Sequence, residues 1–321
     1  MSLLKNQIQS YDYYLHHENM QEEVLEGLSH PQKRISSKFL YDHKGSELFE
    51  EITQLDEYYP TRTEMTIFQE SISEITEVVG NVHTLIEYGS GSSNKIKALL
   101  QNFQGLKEYV PIDISREFLF QSCLELAMKF PHLTIKAVCG DYTKPLSLPV
   151  DTKGKKVIFF PGSTIGNFEP LEVRGFLKQS AELLHKGDGF LIGVDLKKDV
   201  QVLERAYDDA EGVTAAFNLN LLERLNRELE ANFSLEQFDH YACYNKKAGR
   251  IEMHLKSLVD QTVQVASRTF HFAKAETIHT ENSYKYSIRE FQKLAESCGF
   301  QAKKVWTDSE EKFSVHYLER F

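Results

Sequence analysis

The sequence predicts an α/β protein whose core is a Rossmann-like, mostly parallel sheet covered by helices on both faces. Three observations predict it. β-type segments alternate with helical patterns from about residue 82, with strands expected at 83–89, 108–114, 133–139, 156–161 and 189–195. The first of these strands turns through Gly89 and Gly91 into a helical pattern that begins near Asn94. Two final strands at 301–306 and 313–318 predict a terminal antiparallel hairpin.

The segments outside this alternation predict an added lobe. The alternation stops after Asp195, where residues 199–230 have a helical pattern and residues around 251–272 have a β pattern. We therefore expect a core made of 61–196 and 285–321, and a substrate-binding lobe made of 1–60 and 197–284.

Two capping boxes mark helix starts within the core. Thr61-Arg-Thr-Glu64 precedes a helix with one apolar face, and Ser287-Ile-Arg-Glu290 precedes the last helix, which Gly299 is expected to end.

Composition narrows the function. The chain has 321 residues and a net charge of −10, which disfavours nucleic-acid binding because phosphate contacts need clustered Lys and Arg. No apolar run approaches the roughly 20 residues needed to span a bilayer, and the first residues lack the apolar core of a signal peptide. We expect a cytoplasmic monomer that acts on a small molecule, without a membrane or nucleic-acid partner.

Cysteine and histidine spacing gives no metal motif. The four cysteines are widely spaced and the twelve histidines follow no H-E-x-x-H pattern. We expect buried free thiols and no metal.

The glycine loop is compatible with two cofactors, a nicotinamide dinucleotide and S-adenosylmethionine. Gly89 allows a close backbone approach, but Asn94 stands where the dinucleotide motif has its third glycine. Asp113 ends the second strand, where a carboxylate accepts hydrogen bonds from ribose hydroxyls in either class. Asp141 ends the third strand and suits an adenine amino group, with Tyr142 beside it as a stacked ring. Together with the hairpin, these acids favour a class I S-adenosylmethionine-dependent methyltransferase sheet.

Each of these positions has a plainer alternative. Asp113 and Asp141, like Glu87 at the end of the first strand, can simply cap the helix that follows. Lys95, at the start of the helix after the loop, is expected to reach the methionine carboxylate of the cofactor. Its alternative is a solvated surface lysine.

Several long motifs in one order go beyond the fold class. They begin at Phe39 (FLYDHKGSELFE), Tyr58 (YYPTRTE), Phe160 (FPGSTIGNF), Ala206 (AYDDA), Thr214 (TAAFNLN), Ile251 (IEMHL) and Thr280 (TENSYKY). In these motifs the chain resembles, from about residue 36 to its C-terminus, the bacterial histidine Nα-methyltransferases. Those enzymes make trimethylhistidine (hercynine) on the way to ergothioneine.

The resemblance implies roles for four polar residues. Tyr41 would lie by the substrate amino group and act as the catalytic residue, while Asn167 and Tyr207 would hold the substrate carboxylate. Tyr58 would contact the cofactor near its sulfonium. Without the resemblance, Asn167 is a turn residue, Tyr207 an amphipathic helix residue and Tyr58 part of a loop packing unit.

The resemblance also assigns recognition of the imidazole. Glu281 and Ser283 would read the ring, and Met253 would line the same pocket. If residues 279–284 are extended, a period of two places Glu281 and Ser283 on one face. The alternatives are a polar surface strand for this pair and plain core for Met253.

The predicted reaction is the transfer of methyl groups, three in all, from S-adenosylmethionine to the α-amine of L-histidine. The nearest alternative is a methyltransferase of the same fold that acts on another amino acid or amine. A nicotinamide-dependent oxidoreductase is more remote, since Asn94 and the hairpin argue against it.

Overall fold

The computed structural model describes residues 7–13, 18–91, 94–150 and 153–321. The chain divides into two compact units. The larger comprises Met1–Tyr14, Pro60–Lys197 and Tyr286–Phe321, and the smaller comprises Leu15–Tyr59 and Lys198–Lys285.

The described strands are β1 (Ile8–Asp12), β2 (Lys33–Arg34), β3 (Thr84–Tyr88), β4 (Glu108–Asp113), β5 (Thr134–Cys139), β6 (Lys156–Phe160), β7 (Gly189–Asp195), β8 (Phe238–Asn245), β9 (Arg250–Ser257), β10 (Gln261–Val265), β11 (Arg268–Phe272), β12 (Thr277–Tyr284), β13 (Phe300–Thr307) and β14 (Phe313–Arg320). The described α-helices are α1 (Glu18–Leu28), α2 (His43–Ile52), α3 (Tyr59–Val79), α4 (Asn94–Asn102), α5 (Arg116–Lys129), α6 (Pro170–Leu183), α7 (Val200–Arg205), α8 (Val213–Glu228) and α9 (Ile288–Glu296).

The larger unit is built on one sheet with the strand order β1-β5-β4-β3-β6-β7-β14-β13. Its strands run parallel except β14, which is antiparallel to both β7 and β13. Every residue of β3, β6 and β7 is buried, as expected for central strands covered on both faces. The predicted fold class, a Rossmann-like sheet with a terminal antiparallel hairpin, is confirmed.

The edge strand β1 corrects the predicted division of the chain. Residues 1–60 were expected in the substrate-binding lobe, but Ile8–Asp12 pairs in parallel with β5 and extends the sheet of the larger unit. Ile8 and Tyr11 pack against its two apolar clusters. Polar residues surround these two side chains in the sequence. The strand therefore lacks the apolar run that would have predicted it.

The first capping box is also wrong. Helix α3 begins at Tyr59, so Thr61 lies inside the helix rather than at its N-cap. Glu64 is fully buried and bonds to other elements. The second capping box is confirmed, since Ser287 Oγ accepts from Glu290 N, and the Glu290 carboxylate accepts from Ser287 N.

The smaller unit has its own apolar core and a sheet of order β2-β12-β9-β8, beside the separate hairpin β10-β11. The helical segment predicted at 199–230 is two helices, α7 and α8, because the chain turns at Gly212, whose φ is 76°. The β pattern around 251–272 is confirmed as β9, β10 and β11, whereas β8 is not apparent in the sequence.

The cysteines are free thiols, as predicted. Cys123, Cys139 and Cys298 are buried, but Cys243 is only half-buried, which corrects the expectation for that residue. Within the described ranges, no helix combines the length and apolar character needed to cross a membrane.

Candidate active site

The glycine loop follows β3 at the carboxyl edge of the larger sheet. Gly89 has a φ of 70°, a conformation that favours glycine, and its N–H donates to Ile112 O at 2.9 Å. A Cβ at Gly89 would lie 3.9 Å from the Tyr142 ring. Ser90 follows with a buried hydroxyl that has no hydrogen-bond partner among the described residues. Ser92 and Ser93 lie outside the described residues.

Asp113 ends β4 beside this loop. Its Oδ1 accepts the backbone N–H of Ser115 at 2.8 Å, which holds the carboxylate at the start of α5. Burial raises the pKa of Asp113 to about 6. A carboxylate kept partly dehydrated is a stronger acceptor for neutral hydroxyls than one in water.

Asp141 and Tyr142 follow β5. Asp141 Oδ1 accepts from Thr143 N at 3.0 Å within a turn, and no described helix lies between β5 and β6, so the helix-capping alternative is wrong for this residue. The Tyr142 ring stacks on Tyr88, with centroids 5.5 Å apart, and packs edge-on against Phe160. A contact of either residue with adenine stays a prediction.

Lys95 is buried and forms an ion pair with Glu64, so the surface-lysine alternative is wrong. The Glu64 carboxylate also accepts the N–H of Gly162, at 2.9 Å to Oε2. A Cβ on Gly193 would lie 2.0 Å from Glu64 Oε1, so glycine is required there. The pair joins α3 and α4 to the loop after β6. Contact of Lys95 with the cofactor carboxylate stays a prediction.

Replacing Lys95 by methionine is expected to lower the free energy of unfolding by about 3–5 kcal/mol, because it leaves the Glu64 carboxylate buried without its cation. Chemical denaturation monitored by circular dichroism measures the change. Lys178→Met, on the exposed face of α6, is the control and should change stability by less than about 0.5 kcal/mol. A Lys95→Met protein as stable as the control would contradict the role of the pair.

Asn167 ends the short helical turn Thr164–Asn167 after β6. Ser163, which precedes the turn, has a φ of 57°, and its hydroxyl accepts from Asp195 N at 2.8 Å. A left-handed serine held in this way marks a locally strained loop, as is common at functional sites. The Asn167 amide makes no hydrogen bond to another described residue, so its donors remain available for a ligand.

These groups fit S-adenosylmethionine by their chemistry. Two strand-end carboxylates, Asp113 and Asp141, are acceptors suited to ribose hydroxyls and to an amino group. The glycine loop adds a backbone that approaches closely and the unpartnered Ser90 hydroxyl. The set contains no cluster of cations for a pyrophosphate.

In the smaller unit, the structure brings three predicted tyrosines into one aromatic cluster. Tyr41 packs edge-on against Phe49 and Phe217, with centroids 5.6 and 5.4 Å away. Tyr58 contacts Phe49 and also Tyr207, each at 6.1 Å between centroids. Tyr207 lies beyond the last residue of α7, so its helical alternative is wrong.

Glu281, Ser283 and Met253 lie on one face of the smaller sheet. Glu281 pairs with Met253 and Ser283 pairs with Ile251 across β12 and β9, after a register shift between His279 and Glu281. The predicted extended conformation is confirmed, and the polar-surface alternative is wrong because both polar side chains are buried. Met253 is 1% exposed and belongs to the apolar core of this unit.

Glu281 is the most unusual of these groups. Its Oε2 is buried without a hydrogen-bond partner among the described residues. Burial raises the pKa of Glu281 to about 7, and the positive charge of Lys285 opposes that rise. An orphaned buried acceptor of this kind is costly, and it suits a donor supplied by a ligand.

Glu281→Gln is expected to change the pH dependence of stability. The pKa of Glu281 is above its ordinary value of 4.5, so the unfolded chain loses this proton first as the pH rises. The free energy of unfolding of the wild type should therefore fall, relative to the variant, between about pH 5 and 7.5, by on the order of 3 kcal/mol. Urea denaturation across this range measures the difference. Parallel curves for the two proteins would contradict the burial of a titrating Glu281.

Cys243, Glu252 and His254 form the one described group with metal-ligand potential, their ligand atoms all lying within 4.8 Å of one another. Arg250 donates to the Glu252 carboxylate at 2.7 Å. The guanidinium charge opposes a cation at this position. The predicted lack of a metal stays a prediction.

Sequence patterns missed several residues of the site. Glu64, Phe49 and Phe217 each lie within one of the motifs quoted above, but those motifs assigned them no role in the site. Lys285 is buried against Tyr207 and Ser283, one residue beyond the end of β12, and no strand or helix pattern in the sequence points to it. The structure groups the predicted residues into two sets, one in each unit.

Comparison with known proteins identifies close relatives. A family model described as "Histidine-specific methyltransferase, SAM-dependent" matches residues 20–320. The chain is 39% identical to the histidine N-alpha-methyltransferase of Mycolicibacterium smegmatis, over 94% of this chain and 95% of that protein. It is 37% identical to the protein of the same name from Mycobacterium tuberculosis, over 93% and 94% of the two chains. Ergothioneine biosynthesis protein 1 of Neurospora crassa is 29% identical over 90% of this chain and 33% of that protein.

Proposed function

Because the chain belongs to the histidine-specific, S-adenosylmethionine-dependent methyltransferase family, we propose that it methylates the α-amine of L-histidine three times to give hercynine. The same membership makes it a methyltransferase and excludes the nicotinamide-dependent oxidoreductase. The substrate is a small molecule. That the protein is a cytoplasmic monomer stays part of the proposal. So does the lack of a nucleic-acid partner, which its net charge of −10 supports.

One observation carries the choice of histidine. Glu281 presents a buried carboxylate oxygen without a partner among the described residues, on the same sheet face as the Ser283 hydroxyl. An imidazole offers an N–H to the carboxylate and an unprotonated nitrogen to the hydroxyl, so both groups are satisfied together. A hydrogen bond to a carboxylate is charge-assisted, which makes it selective.

The cofactor supplies a methyl group already activated by its sulfonium. The lone pair of the neutral amine forms the new nitrogen–carbon bond while the carbon–sulfur bond breaks and S-adenosylhomocysteine leaves. The protein must therefore align the nitrogen with the methyl carbon and sulfur rather than supply a strong base. A proton leaves the nitrogen before each transfer, since an ammonium has no lone pair.

Tyr41 is the proposed residue that orients the amine and passes its proton towards solvent. Its ring is fixed on two sides by Phe49 and Phe217, so the hydroxyl is held by packing. Asn167 and Tyr207 are the proposed donors to the substrate carboxylate, as neutral N–H and O–H groups. Met253 would line the pocket of the ring.

Asp113 is the proposed acceptor for the ribose hydroxyls, and Asp141 with Tyr142 the proposed contact of adenine. Gly89 lets the loop approach the cofactor, and Lys95 is proposed to neutralise its carboxylate. Tyr58 is proposed to face the sulfonium, since an aromatic ring attracts a cation.

A second candidate function is methylation of a different amino acid or amine. The experiment is to incubate the purified protein with S-adenosylmethionine and each amino acid separately, and to identify products by mass spectrometry. The proposal expects a triply methylated histidine whose methyl groups fragment with the α-nitrogen. Methylation of another amino acid, with histidine unchanged, would replace the proposal with the second candidate.

A further inference from the structure

Lys285 is a buried cation in direct contact with two of the proposed substrate residues. Its side chain is covered by the Tyr207 ring, 4.8 Å from Nζ to the centroid, and the residue is 2% exposed. Nζ lies 2.7 Å from Ser283 Oγ and 3.1 Å from Tyr207 Oη. Its backbone N–H donates to Gly249 O at 2.9 Å, which fixes the strand end. Lys285 therefore acts on a ligand through these hydroxyls rather than by touching it.

The three groups fix the direction of their hydrogen bonds. An ammonium donates only, so both hydroxyl oxygens accept from Lys285. Tyr207 Oη lies 2.7 Å from Ser283 Oγ, but its single proton is the one proposed for the substrate carboxylate. Ser283 Oγ accepts from Lys285 whichever way that phenol proton points. The Ser283 proton can then be offered to a ligand, and Ser283 becomes a donor.

This polarity has a consequence for recognition. Glu281 and Ser283 lie two residues apart on the same face of β12. Glu281 is the acceptor of the pair and Ser283 is the donor. A neutral imidazole carries one N–H and one bare nitrogen, and matches the pair. An imidazolium has two N–H groups and an indole has no second nitrogen, so each leaves one partner unsatisfied.

We propose that Lys285 is a positioning residue that holds Ser283 as a hydrogen-bond donor, so that Glu281 and Ser283 together select a neutral imidazole. The proposal deepens the proposed function and rests on it. The alternative is a purely structural role, in which Lys285 only balances the charge of Glu281 within the sheet.

A double-mutant cycle separates the two roles, because only the first acts through Ser283. Lys285→Met, Ser283→Ala and the double variant are assayed for KM and kcat with L-histidine. We expect each single change to raise KM about 10- to 100-fold while kcat changes less, since the contacts hold the ring and not the reacting nitrogen. In the Ser283→Ala background, Lys285→Met should add less than about threefold. Fully additive effects on KM would overturn the proposal.

One further variant of Lys285 keeps the test decisive. Lys285→Gln retains a donor at about the same position, so its KM should lie between those of the wild type and Lys285→Met. If Lys285→Met does not fold, Lys285→Gln takes its place in the cycle, with the same expectation of a less-than-additive effect. A glutamine variant with a KM as high as that of Lys285→Met, or one whose effect is additive with Ser283→Ala, would overturn the proposal.

Lys156→Met is the matched control. Like Lys285, Lys156 is 2% exposed. Its ammonium bonds to the Asp188 carboxylate at 3.3 Å, and it belongs to the larger unit. Its replacement should lower the melting temperature without raising the KM for histidine tenfold. Wild-type turnover is measured first: if it yields no methylated histidine, the proposed function fails, whereas an active wild type with an unaffected Lys285 series overturns this inference alone.

Discussion

Glu281→Ala is expected to raise the KM for L-histidine by about 10- to 100-fold, because the imidazole N–H loses a charge-assisted acceptor in a buried site. The Kd for L-tryptophan should change far less, because an indole has no second nitrogen for Ser283 to hold, so its N–H is not fixed against the Glu281 carboxylate in the wild type. Steady-state kinetics with histidine and calorimetry with tryptophan measure the two effects.

The control is Glu236→Ala, which removes an exposed carboxylate of the same unit and should leave both values unchanged. Glu281→Gln is informative as well, because its amide oxygen still accepts a hydrogen bond but without the charge. It should fall between the wild type and the alanine variant. Equal losses for histidine and tryptophan in Glu281→Ala would remove the specificity assignment.

Asp113→Ala is expected to weaken binding of S-adenosylmethionine by about 10- to 100-fold, because both ribose hydroxyls lose an acceptor that replaces water. Isothermal titration calorimetry at about pH 8 measures the affinity with the carboxylate ionised, since its raised pKa is about 6. Affinity in the wild type should fall as the pH is lowered through that value.

The matched control for Asp113 is Asp12→Ala. Asp12 also ends a strand of the larger sheet, but it lies on the exposed edge strand β1. Its replacement should leave the affinity within about twofold. Unchanged affinity in Asp113→Ala itself would contradict the ribose assignment.

The parts of the fold that the sequence predicts correctly are those set by local patterns. The strands β3 to β7 follow from continuous apolar runs, and the box at Ser287 from two residues three positions apart. The alternation of Glu281 and Ser283 follows from the period of a strand alone. In each case neighbouring residues contain the whole signal.

The wrong predictions concern residues whose structure depends on contacts with residues far away in the sequence. Glu64 satisfies the spacing of a capping box, yet its carboxylate bonds to Lys95, 31 residues away, because burial makes an unpaired charge prohibitive. The strand β1 exists because β5, more than a hundred residues later, offers a free edge. No pattern within nine or ten residues contains either fact.

The candidate site divides in the same way. Family motifs predict the residues expected to touch ligands, such as Tyr41 and Asn167. The roles of the residues that support them, including Phe49 and Lys285, follow only from their contacts in the structure. Supporting residues are chosen by the packing of their neighbours, which a single sequence does not record.

The central claim is that this protein methylates histidine at its α-nitrogen and selects it by its imidazole. An equimolar mixture of the proteinogenic amino acids, incubated with the protein and methyl-labelled S-adenosylmethionine, tests it most directly, with labelled products identified by mass spectrometry. The account predicts label in Nα-methylated histidine alone, ending in the trimethylated form, and loss of that preference in Glu281→Ala. Label distributed over several amino acids, or confined to one other than histidine, would contradict it.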